Sequence, residues 1–228
     1  MEQLNNKLIE ASKMYGDQTI VRTMINAIPY VGSSIDLLLS SAGHKFTIKR
    51  IEKFIDALKE EISRLKEAQI NKDFLNTEEG FDLIIKALNS AARTRHQEKL
   101  NLFALIVKSA LTKDKFYEED EPEFFLKIVE ELSINEFKVA KYLYELKEMK
   151  KEKLDENNAN KKGMTNDASV LSQCHPEFDE NELVSTFVRL ERIGLIKELV
   201  GTYVGYSGGV YLVNPLFRRL MNFIETVE

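Results

Sequence analysis

Apolar residues recur at steps of three and four over much of this chain, which is the signature of helices with one buried face. After Gly43, the positions Ile48, Ile51, Phe54, Ile55, Leu58, Ile62 and Leu65 form a single stripe and predict one long helix. Asn76 and Glu79 have the spacing of a capping box, opening a second helix with the stripe Phe81, Ile84, Ile85 and Leu88. A third runs through Leu100, Phe103, Ile106, Val107, Ala110 and Leu111. Single helices of this length are marginal in water, so the stripes must pack on one another, and residues 1–120 are expected to form a helical bundle.

The pattern changes after a polar, acidic stretch at 112–121. Pro122 suits the first turn of a short helix carrying Phe124, Phe125, Ile128, Val129 and Leu132. Ser133 and Glu136 make a second capping box, and the helix it opens is expected to reach about Met149. Residues 150–167 contain almost no apolar side chain and read as a disordered insertion, because such a composition cannot offset its ordering entropy by burial. A third capping box, Asp179 with Glu182, opens a helix with the apolar face Leu183, Phe187, Leu190 and Ile193, and Gly194 stands where a left-handed C-terminal cap belongs. Two short strand-like runs follow, LIKELV and VYLV, separated by the turn GTYVGYSGG. Asn214 and Pro215 then start a last helix.

The order helix, short helix, helix, hairpin, helix resembles the winged-helix family. The strings that carry the likeness are R-L-E-R-I-G-L-I at 189–196 and Y-L-V-N-P-L-F-R-R-L at 211–220. The fold class expected is therefore mainly α: an N-terminal helical bundle, then a C-terminal winged-helix domain over 121–228 with a small β-hairpin. The resemblance implies a helix at 179–193 that enters the major groove of DNA and a turn at 201–209 that touches its backbone. The charges oppose that use. From Asp179 to Leu212 there are three basic residues (Arg189, Arg192, Lys197) against five acidic ones, and the turn has no Lys or Arg. Affinity for DNA rests largely on cations that neutralise phosphates, so this surface lacks the main attractive term. A protein partner or a second copy fits better, and Tyr203, Tyr206, Arg189 and Arg192 are the candidate partner surface.

Net charge sharpens the contrast. The total is −5, but residues 1–115 carry 18 Lys and Arg against 15 Asp and Glu, while the remainder carries 14 against 22. The basic excess includes Lys45, Lys49, Arg50 and Lys53, directly after the apolar run Ile28 to Ala42, and a second group of Arg93, Arg95, His96 and Lys99. Lys45, Lys49, Arg50, Lys53, Arg93 and Arg95 are the candidate contacts for an anion or for lipid. An apolar run with a basic flank is what an interfacial segment displays, so a membrane-active effector working through residues 19–53 is one reading. Ile28-Pro29-Tyr30-Val31-Gly32 is similar to loops between apolar helices of pore-forming toxins. Arg22, Pro29 and Asp36 interrupt the segment, which rules out an ordinary membrane span. The polar first residues lack the apolar core of a signal peptide, and a single Cys174 excludes a disulfide framework, so the expected compartment is the cytoplasm.

Catalytic patterns fail on inspection. Gly205-Tyr206-Ser207-Gly208-Gly209 matches G-x-S-x-G, yet a strand follows it where a nucleophile elbow needs a helix, and His44, His96 and His175 all precede Ser207. Cys174 and His175 are adjacent, a poor geometry for activating a thiol, and Cys174 reads instead as a partly buried structural residue. The histidines lack metal spacing, and no glycine loop cradles a phosphate. No catalytic, cofactor-binding or metal-ligating residue is expected, no small-molecule substrate is indicated, and the chain reads as a non-enzyme.

Residues 121–146, EPEFFLKIVEELSINEFKVAKYLYEL, resemble a segment of the bacterial Abi-alpha abortive-infection family. There a similar string follows a helix like EKLNLFALIVKSAL and precedes a winged-helix-like tail. Glu121 stands where that family has His, and the polar stretch after Lys150 is a departure. The resemblance implies a role in phage defence and carries over no catalytic residue. The leading expectation is a non-enzymatic, cytoplasmic protein acting by contact with another protein or with itself. The alternatives are a winged-helix DNA-binding regulator, which rests on fold alone, and the membrane-active effector.

Overall fold

The structure, a computed structural model, describes residues 44–71, 73–74, 77–112, 120–156, 166–199 and 208–225. They divide into two compact units, one ending at Glu130 and the other starting at Glu131. The chain is mainly helical, with one small antiparallel hairpin near its C-terminus.

The first unit contains α1 (His44–Ser63), a 3-10 turn (Glu67–Gln69), α2 (Glu78–Arg93), α3 (Gln97–Ala110) and α4 (Glu121–Glu131). Helix α1 packs on both α2 and α3, and its inward positions are Phe54, Leu58 and Ile62. Each such side chain contributes roughly 1.5–3 kcal/mol by leaving water. The stripe predicted on α3 is buried in full, from Leu100 to Leu111. On α2 the face is rotated from the expected one. Leu83, Ile84, Ala87, Leu88, Ala91 and Ala92 are buried, whereas Phe81 is 38% exposed. Alanines carry little weight in a size-based stripe, yet they let neighbouring helices approach closely, and here they decide the face. The cap of α2 is also displaced: Thr77, one residue past Asn76, accepts the Gly80 N–H at 3.1 Å, and its own hydroxyl donates to the Phe74 carbonyl. Asn76 itself lies outside the described residues. Helix α4 is tied to α2 by the Lys86–Glu123 ion pair and by Ser90, which donates to Glu130 at 3.1 Å. Lys99 of α3 donates to the Glu130 carbonyl at 2.7 Å.

The second unit contains α5 (Ile134–Glu156), α6 (Asp167–Cys174), α7 (Glu180–Ile193), β1 (Ile196–Glu198), β2 (Tyr211–Val213) and α8 (Pro215–Ile224). The capping box of α5 forms as its sequence predicts: Glu136 accepts the Ser133 N–H at 2.7 Å, and Ser133 Oγ accepts the Glu136 N–H at 3.2 Å. The helix continues past Met149 to Glu156. Lys and Glu are good helix formers, so a nucleated helix propagates through them without apolar support. Asp179 caps α7 by accepting from Asn181 N and Glu182 N, and Gly194 ends it at φ 85°, as expected for a left-handed cap. The strands pair in the register Ile196 with Val213 and Glu198 with Tyr211. Asn214 occupies the N-cap of α8 but turns its amide back to the hairpin, donating to the Gly194 carbonyl at 2.8 Å. The core gathers Leu183, Phe187, Leu190, Tyr211, Phe217 and Leu220, with Phe187 and Tyr211 rings 4.7 Å apart.

Candidate interaction surface

Helix α7 turns Leu183, Phe187 and Leu190 inward and leaves an apolar pair outside. Val184 is 44% and Val188 59% exposed, and at four residues apart they lie one above the other on the helix. Arg192 continues the same row and is exposed. At the opposite end of the helix, Asp179, Glu180 and Glu182 are all exposed. Asp179 is held there by its capping role, and carboxylates are favoured at a helix N-terminus by the partial positive charge of its free N–H groups.

Beside this helix an open groove of about 500 Å³ runs along the first turns of α5. Val139, Phe178 and Leu183 supply apolar lining, and Asn135, Asn181 and Thr186 supply donors and acceptors. That mixture suits a peptide segment or a protein loop, which brings apolar side chains and amide groups together.

Of the predicted partner residues, Tyr203 and Tyr206 lie outside the described residues, as does Ser207. Arg189 is committed within the protein. Its Nε lies 2.6 Å from Glu136 Oε1, a nearly buried carboxylate whose other oxygen caps α5. The sequence assigns Glu136 to a cap and Arg189 to a partner surface; the fold joins them. Nothing in their spacing announces the pairing. Arg192 is exposed without an ion partner among the described residues. Glu191 and Glu198 serve the hairpin: Glu191 accepts the Glu198 N–H at 2.9 Å, and Glu198 accepts the Gly209 N–H at 2.8 Å.

The basic residues of the first unit have several fates. Lys45 falls in the first turn of α1, and its side chain lies outside the described part. Lys49 and Lys53 are exposed. Arg50 donates to the Ala92 carbonyl at 3.1 Å, closing the C-terminal end of α2. Arg93 lies 3.7 Å from Glu130 Oε1. Arg95 is exposed in the short link between α2 and α3.

Cys174 is exposed, contrary to the partly buried position expected for it. It ends α6, where the helix presents its outer side. The neighbouring His175 stacks its ring on Tyr142 at 3.7 Å, with Nδ1 3.6 Å from Glu177. Among the described residues no three His, Cys, Asp or Glu side chains are grouped to hold a metal ion.

No curated protein and no solved structure matches the chain. A family described as abortive infection alpha does match, over residues 50–225. That span takes in both units, from the second turn of α1 to the end of α8, and so reaches well upstream of the segment where the resemblance is legible by eye. The match covers most of the 228 residues, and the chain belongs to the abortive infection alpha family.

Proposed function

We propose that this protein serves phage defence as a non-enzymatic contact protein in the cytoplasm. In this reading the second unit is a winged helix used to hold a protein partner or a second copy. The observation that carries it is the exposed pair Val184 and Val188 on α7; the mixed groove along α5 opens on another side of the same helix. Covering two valines that are already about half buried contributes roughly 0.7–1.5 kcal/mol for each, about half the value for a fully exposed side chain, which helps to anchor a contact of modest size. Family membership supports the defence setting.

The use of α7 on DNA finds less support. Arg189 is occupied by Glu136, which leaves Arg192 on this helix facing three exposed carboxylates at the other end. A helix so charged repels the phosphate backbone.

The test is a plating assay with phage on cells carrying the protein or its V184D/V188D variant. Both positions are on the surface, so the variant is expected to keep its helical circular dichroism and melting temperature while protection is lost. Full protection by a folded V184D/V188D protein would refute the contact reading. A mobility shift with duplex DNA at low salt, abolished by Arg192→Glu, would favour a DNA-binding regulator in its place.

A further inference from the structure

The two basic stretches that are separate in sequence belong to one end of the first unit. Arg50 joins them. Its guanidinium sits on the Ala92 carbonyl at 3.1 Å, which holds the opening turns of α1 against the last turn of α2, immediately before Arg93 and Arg95. Because Arg50 is spent on that carbonyl and Arg93 faces Glu130, the cations of these two stretches left for an outside ligand, among the described side chains, are Lys49, Lys53 and Arg95. All three are exposed, and none forms an ion pair with a described residue.

An apolar group accompanies them. Phe46 is 68% exposed, more than any other large hydrophobic side chain among the described residues. It lies three residues before Lys49 and seven before Lys53, so the three project within about 60° of one another around α1. The core-facing positions Phe54, Leu58 and Ile62 lie on another side of the helix.

We propose that this end of the first unit docks on an anionic membrane surface, with Lys49, Lys53 and Arg95 on lipid phosphates and Phe46 in the interfacial layer. An aromatic ring flanked by lysines matches a surface that is apolar below and negative above. A nucleic acid would satisfy the cations but offers no apolar layer for the exposed ring of Phe46. No helix of the described residues is long and apolar enough to cross a membrane, so the contact proposed is peripheral. The inference goes beyond the proposed function and rests on the other unit of the chain.

The experiment is co-sedimentation of the full chain with vesicles of phosphatidylglycerol and phosphatidylcholine in equal amounts, with pure phosphatidylcholine alongside. Binding is expected on the anionic vesicles alone and should weaken with salt. Each cation near such a surface contributes roughly fivefold to partitioning, so K49E/K53E should reduce binding by at least about tenfold. Arg95→Glu and Phe46→Ser should each reduce it less, and Arg192→Glu, in the second unit, should leave it unchanged. K49R/K53R keeps the charge and should bind like the parent. The proposal falls if the anionic vesicles recover no protein, if K49E/K53E binds normally, or if K49R/K53R fails to bind. It also falls if an oligonucleotide binds through Lys49 and Lys53 and the vesicles do not. Because Val184 and Val188 are untouched in these variants, loss of vesicle binding with retained protection, or the reverse, separates this idea from the proposed function.

Discussion

Tyr211 donates its backbone N–H to Asp167 Oδ2 at 2.7 Å, across 44 positions of sequence. Asp167 is fully buried at the first position of α6, and the same oxygen is ion-paired with Lys147 of α5. Its own N–H donates to the Gly209 carbonyl at 2.8 Å. One residue thus links α5, α6 and the entry to β2. A buried carboxylate is tolerated because its charge is matched and its oxygen is hydrogen-bonded.

Replacing Asp167 by Ala removes the carboxylate that pairs with Lys147 and accepts from the Tyr211 N–H, while the backbone bond to Gly209 remains. The cost expected is about 3–5 kcal/mol, the range for breaking a buried pair from one side. Urea denaturation should show the second unit melting at a markedly lower midpoint. Asp167→Asn, which keeps an acceptor for Tyr211, should lose less.

Arg189 and Arg192 look alike in sequence and should behave differently. Arg189→Ala strips Glu136 of its ion partner, and since Arg189 is itself 58% exposed the loss is expected to be modest, about 1 kcal/mol. Arg192→Ala should stay within about 0.5 kcal/mol of the parent, as for an exposed position without a partner. Thermal melts of the two variants decide the matter, and equal losses would refute the structural role given to Arg189.

Two glycines with left-handed backbone should differ in the cost of a methyl group. At Gly194, φ 85°, an added Cβ meets nothing within 4 Å, so Gly194→Ala should cost only the conformational strain, about 1–2 kcal/mol. At Gly209, φ 82°, the Cβ would stand 2.4 Å from Nδ2 of Asn166, the N-cap of α6. Gly209→Ala should therefore be the more destabilising of the two, read from the shift of the urea midpoint.

Lys108 supplies a pH dependence. It is buried on α3, and desolvation lowers its pKa below the usual 10.5, with Arg64 acting the same way and Glu61 opposing. The folded protein thus gives up this proton more readily than the unfolded chain. In the window below 10.5 the unfolded state holds the extra proton, so stability rises with pH there. Denaturation curves collected from neutral to alkaline pH should show that rise in the parent and a smaller one in Lys108→Met. An identical pH profile for the two would contradict it.

The groove along α5 and α7 was illegible in the sequence for a definite reason. Its lining comes from Asn135 and Val139 on one helix, Phe178 before the next, and Asn181, Glu182, Leu183, Ser185, Thr186 and Arg189 at that next helix. Each residue is unremarked where it stands, and only the packing of α5 on α7 brings them to one concavity. The exposed pair Val184 and Val188 was readable in principle, as the apolar positions left over once Leu183, Phe187 and Leu190 are assigned to the core. The rotation of α2 shows the opposite error, in which a size-weighted stripe chose Phe81 over Ala87 and Ala91.

By itself the sequence determined the features whose causes lie within a turn or two of the chain. These are the Ser133–Glu136 and Asp179 caps, the left-handed Gly194, and the buried stripe of α3, since helical spacing places neighbours three and four residues apart regardless of what surrounds them. Tertiary structure alone decided which distant charge meets which: Glu136 with Arg189, Lys147 with Asp167, Arg50 with the end of α2. Sequence separation carries no distance for such pairs. Their encounters are set by how whole helices pack, and it is packing that sorts an arginine tied to its own protein from one still open to a partner.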